Sequence, residues 1–182
     1  MTTTTVGQVN DETLKKGKNI MNKQEIKIYS NIRIDSSVSV PVYLDWADEM
    51  ATTMVTMHPE LENGGPLEYD ATKLVEWFAP GQEVGVVTGE IVYRYLKDND
   101  LLSTCIGLTD LVEIQKKGIG FFRQNWKGKV VFGWRSIARN RHNGELAVLC
   151  LHEKSGELQL LYLWIGTNVW SAKCPALRLA SD

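Results

Sequence analysis

Three alternating apolar runs, separated by two turn signals, fill the last third of the chain and restrict it to an antiparallel meander. Lys129 to Ile137 alternates and leads into His142-Asn143-Gly144, where Asn-Gly provides the positive φ angles of a tight hairpin. Leu146 to Leu151 is the next strand, and Ser155-Gly156 the next turn. Leu158 to Ile165 follows as a third strand, apolar on both faces and therefore expected at the centre of the sheet. Val169 to Leu179 adds a fourth strand, interrupted by Pro175.

Upstream, helical and extended patterns mix. Glu25 to Ile34 and Val38 to Leu44 alternate and read as a hairpin turning at Asp35-Ser36-Ser37, with Pro41 marking an edge. Asp45 can cap a helix carrying Trp46, Met50, Met54 and Met57 on one face, closed by Pro59. That stripe reads as core. Asp70 caps a short helix over Ala71 to Ala79, with Leu74, Trp77 and Phe78 inward. Val84 to Leu96 fits a strand or a helix, and two glycines favour a helix that begins only near Thr88. Leu108, Leu111, Val112, Ile119, Phe122 and Trp126 make a clear helical stripe with Thr109 as its cap. Lys116-Lys117-Gly118 carries a helix-end signature inside it, so one helix runs through or two kink there. The expected class is α+β: an N-terminal hairpin and two to four helices packed on a C-terminal antiparallel meander.

At 182 residues, with 43% hydrophobic and 23% charged residues, the chain suits one self-sufficient domain over residues 25–182. Residues 1–24 lack apolar periodicity and read as a flexible arm. Codons for Lys16-Gly17-Lys18 can spell a purine-rich ribosome-binding sequence ahead of Met21, which makes Met21 an alternative start. A plain solvated stretch is the competing reading. Cys105, Cys150 and Cys174 form no paired motif, which points to free thiols in a reducing cytoplasm. No secretory leader is visible, and no apolar run is long enough to span a bilayer.

Charge is strongly segregated. Asp45 to Glu90 holds ten acids and one base, Lys73. Ile114 to Gly144 holds eight bases and no acid: Lys116, Lys117, Arg123, Lys127, Lys129, Arg135, Arg139 and Arg141. Aromatic residues interleave with these cations, and Phe121 lies off the helical stripe where a base could stack on it. Phe122, Trp126, Phe132 and Trp134 instead fall at core positions.

Catalytic signatures are sparse. Phosphate loops, dinucleotide fingerprints, nucleophile elbows and HxxxH pairs are all missing from the sequence. Cys150 and His152, two apart on a strand, share a face and could act as nucleophile and base. His58, Glu60 and Glu62 could bind a cation, although a solvated acidic loop accounts for them as well. The reading that emerges is a non-enzymatic binding or assembly protein with no cofactor, acting by self-association or on a protein partner through its acidic and basic surfaces. A nucleic-acid module on residues 116–141 is the alternative, and a small enzyme of unknown class the third. Compact size and an internal start would suit a phage or mobile-element gene, placing the product in host cytoplasm or virion.

Overall fold

A computed structural model gives the architecture and describes residues 27–29, 53–62 and 64–180. Residues 1–24 and most of the N-terminal hairpin lie outside the described residues, as do Trp46 and Met50. Among the described residues ten strands and three α-helices follow in order. β1 (Lys27–Tyr29), β2 (Met54–Thr56), α1 (Pro59–Glu62), β3 (Glu68–Asp70), β4 (Leu74–Trp77) and β5 (Val87–Thr88) make the first half. α2 (Gly89–Asp98), α3 (Leu108–Trp126), β6 (Val130–Asn140), β7 (Leu146–Lys154), β8 (Glu157–Trp164), β9 (Val169–Trp170) and β10 (Ala176–Leu179) make the second. The class is α+β, with a sheet of mostly antiparallel strands.

The main sheet runs β4-β10-β6-β7-β8, and β2 also pairs with β6. β6, β7 and β8 form the expected meander. Its second turn places Ser155 and Gly156 both at positive φ, +53° and +84°, which fits the twist of a two-residue hairpin. Both faces of the sheet are covered. Val131, Leu149, Leu151 and Leu160 pack with Leu111, Ile114, Phe122 and Trp126 of α3 on one side. Phe132, Trp134, Val148 and Cys150 pack with Val92 and Leu96 of α2, and with Trp170, on the other. Burying each of these large side chains contributes about 1.5–3 kcal/mol.

This double coverage corrects one expectation. β8 is apolar on both faces yet is the outermost strand of that path; β6 lies inside it. Leu158 and Leu160 meet the α3 layer, whereas Leu161 and Leu163 meet the α2 layer, so both faces are covered at the rim as well.

The outer edge of β6 is shared by three segments. Its start accepts β10 in parallel at Phe132 and Ala176. Its end pairs with β2, Met54 opposite Asn140 and Thr56 opposite Ala138. Between them sits the stretch before α3: Arg135 N–H donates to Ile106 O at 3.1 Å, and Ile106 N–H to Leu177 O at 3.0 Å. A register shift between Gly133 and Ile137 marks a bulge at that point.

Three further expectations change. Met54 and its neighbours were expected on a helix but form β2, because β-branched Val55 and Thr56 meet an unpaired stretch of β6. Asp70 does cap, accepting from Thr72 N–H at 2.7 Å, but only a single turn, Ala71–Lys73, follows. Leu74–Trp77 then joins β10 as a strand. Thr109 is buried inside α3, whose cap is Gly107. Two other expectations hold: Thr88 caps α2, accepting from Ile91 N–H at 3.4 Å, and α3 is broken at Gly118, which has φ +85°. Lys27–Tyr29 pairs with Glu68–Asp70, a partner no sequence pattern had indicated.

Candidate functional site

The eight cations do not make one surface. Arg135 is buried in the β6 bulge, where Nη2 donates to Asp110 of α3. Asp110 also accepts from Tyr69 Oη at 2.9 Å and from Gly107 N–H at 2.8 Å. Beside this pair Ser136 Oγ accepts from Leu108 N–H and donates to Glu62 Oε2, both at 2.7 Å. Burial pushes the Glu62 carboxyl up to about 7, against the lowering effects of the Ser136 hydrogen bond and the Arg135 charge. Gly65 and Gly107 press on Arg135 so closely that a Cβ at either would collide with the joint. These residues lock the bulge to the start of α3; Arg135 is structural and not a surface ligand.

The remaining cations divide into separate groups. Lys129 at the start of β6 pairs with Glu76 of β4 at 2.5 Å, so the acidic and basic segments meet inside one molecule. Arg123 pairs with Glu153 at 2.6 Å and Lys116 with Glu113 at 2.6 Å. Arg139 and Arg141 are exposed at the far end of β6, about 30 Å from Lys129 by strand rise. Lys117 and Lys127 are also exposed. Phe121, expected to offer a stacking ring, is only 8% exposed and meets Trp126 edge-on.

The other candidates separate too. Cys150 and His152 share the α2 side of β7, but Cys150 is fully buried and burial holds its thiol up at about 12. Burial lowers the His152 pKa, and its Nε2 has no hydrogen-bond partner. A thiol so disfavoured as thiolate is a poor nucleophile. Of the possible cation ligands, His58 and Glu60 stay together, Nδ1 to Oε1 at 3.4 Å, while Glu62 turns inward to Ser136. Among the described residues no group of three His, Cys, Asp or Glu is arranged to hold a metal ion.

The helix that sequence reasoning left unused holds the most open chemistry. α2 has three faces. Gly89, Val92 and Leu96 are buried, with Gly89 set so tightly on Trp170 that a Cβ would overlap its ring. Glu90, Tyr93, Arg94, Lys97 and Asp98 form the second face and line a cleft of about 650 Å³. The opposite wall is Gly144, Glu145 and Leu146 at the hairpin, with Trp164 at the end of β8 and Ile165 to Thr167 after it. Tyr93 is anchored from behind: its hydroxyl and His58 Nε2 are 2.9 Å apart.

The third face is apolar and exposed. Ile91 and Tyr95 line a shallow hollow of about 240 Å³ with Pro80. Tyr95 contacts the Trp77 ring at 5.7 Å, and Val75 lies two residues before Trp77 on β4. Val84 and Val86, ahead of β5, and Val169 of β9, which pairs with β5, are 94%, 65% and 61% exposed. Of seven large apolar side chains strongly exposed among the described residues, six lie on β4, on α2, or on the β5–β9 pair and the loop before it. The signal was present in the sequence as Val84, Val86 and Ile91, but periodicity alone cannot tell an exposed apolar face from a buried one.

No protein-family model, curated protein or solved structure matches this chain.

Proposed function

We propose that the protein is a non-enzymatic assembly protein that pairs with a second copy of itself through the apolar face of α2 and the outer edge of β4. The observation that carries this reading is the exposure of Val75, Val84, Val86, Ile91, Tyr95 and Val169 on β4, α2 and the segments around β5 and β9, with Tyr95 of α2 against Trp77 of β4. Apolar side chains gathered in this way mark an interaction surface more often than a solvated one. One feature favours a second copy as the occupant. β4 ends the main sheet and pairs with no strand on its outer side among the described residues, so an antiparallel copy can extend the ladder.

Association of this kind is apolar at its centre and survives salt, unlike a contact between acidic and basic segments. Sedimentation of the full chain at 0.1 M and 1 M salt tests it. A dimer at both, converted to a monomer by Ile91→Glu or Tyr95→Glu, is the expected result. A monomer at every concentration, or a dimer that dissolves in salt and ignores both substitutions, would overturn the reading.

A further inference from the structure

Independently of that assembly, we infer that the cleft between α2 and the β6–β7 turn is a binding site for a small zwitterion of the amino-acid or short-peptide kind. Its volume, about 650 Å³, falls within the range of small-molecule sites. Its lining mixes both signs of charge from separate elements: Glu90, Arg94, Lys97 and Asp98 on α2, and Glu145 at the hairpin. A uniformly charged ligand would meet repulsion from one set or the other. A molecule with an ammonium and a carboxylate on one short frame meets partners for both, Arg94 and Lys97 taking the carboxylate and the acids the ammonium.

The remaining walls fit the same ligand. Leu146, half-buried on the α2 side of β7, adds apolar surface for a side chain. Tyr93 is a fixed hydrogen-bonding group at the wall. With Nδ1 of His58 turned toward Glu60 at 3.4 Å, its Nε2 is left to accept from the Tyr93 hydroxyl at 2.9 Å. The phenolic oxygen then keeps lone pairs for an N–H of the ligand. Burial raises the Tyr93 pKa, opposed by the Arg139 charge, which keeps the phenol neutral in that role. Gly144 contributes a positive φ of +75° at the hairpin, so main chain forms part of that wall.

The test is calorimetry of the full chain with free phenylalanine, with Gly-Phe-Gly, and with Gly-Phe-Gly acetylated at one end or amidated at the other. The site predicts binding of a free-ended probe and a loss of about tenfold or more when either end is blocked. The tripeptide and the single amino acid distinguish the two sources of the same chemistry. Lys97→Glu, an exposed change away from the apolar face, should weaken binding by at least as much while leaving the sedimentation mass unchanged. Tyr93→Phe should weaken it severalfold. No heat and no chemical-shift change with any probe at millimolar concentration would overturn the inference. So would equal binding of free and blocked peptides, or binding indifferent to Lys97→Glu.

Discussion

Arg135 and Arg94 belong to two regions built from similar residues and used in opposite ways. Around Arg135 the joint is turned inward: Asp110 takes three donors, Ser136 bridges Glu62 to the start of α3, two glycines give up side chains to make room, and Arg135 Nε and Nη1 stay buried without a hydrogen-bond partner. Around Arg94, charged and apolar groups line a cleft on one side of α2 and an open face on the other. Charge turned inward fixes the fold; charge left at a cleft is available to a ligand. The segregation of acids and bases along the chain therefore does not by itself locate function, because part of it is consumed by Lys129–Glu76 and Arg135–Asp110 within the molecule.

The contrast can be broken most directly at Arg135. Removing one partner of a buried pair strands the other, so Arg135→Ala should cost about 3–5 kcal/mol in urea unfolding. A cost below about 1 kcal/mol would show the joint to be dispensable. Glu62 provides the next largest effect, through pH. Its folded pKa of about 7 exceeds the ordinary value of 4.5, so the folded state holds a proton that the unfolded chain releases. Stability from this group is full below 4.5 and is lost as pH rises toward 7, on the order of 3 kcal/mol in all. Glu62→Gln should flatten that decline between pH 5 and pH 8. A variant with the wild-type slope would assign the pH dependence elsewhere.

Smaller effects sharpen the same division. The Lys129–Glu76 pair is partly exposed, and Lys129→Ala should cost less than about 1 kcal/mol. Lys97→Ala, at the cleft, should leave the unfolding midpoint within about 0.5 kcal/mol of wild type. A larger loss there would make α2 part of the structural region after all.

The sequence discloses elements wherever local signals are self-sufficient. Ser155-Gly156 and Gly144 turn the meander, the latter alone at positive φ in a five-residue connection where an Asn-Gly pair was expected to make a tight turn, while Thr88 starts α2 and Gly118 breaks α3. Elements decided by distant partners are misread. Met54 to Thr56 and Leu74 to Trp77 carry residues that fit either state, and only the edges of β6 and β10 make them strands. The rim position of β8 is hidden because two covering layers imitate centrality. The candidate residues scatter for the same reason. Cys150 with His152, and Glu62 with His58, are neighbours in sequence whose surroundings are supplied by other elements. Tyr93 and His58 are brought together across 35 positions with no motif to announce them.

The shared edge of β6 also sets the order in which such a chain can become native. Hairpins β6–β7 and β7–β8 close over short loops and can form early. Each of the three segments that finish the opposite edge must return from elsewhere in the sequence: β2 and the stretch before α3 from upstream, β10 from downstream. Until they dock, an apolar strand keeps unpaired backbone groups along most of its length, the condition in which strands join the wrong neighbour. Folding speed and recovery from denaturant are therefore governed less by the meander than by the arrival of these late segments, and the Arg135 joint, seated where they converge, cannot form before them.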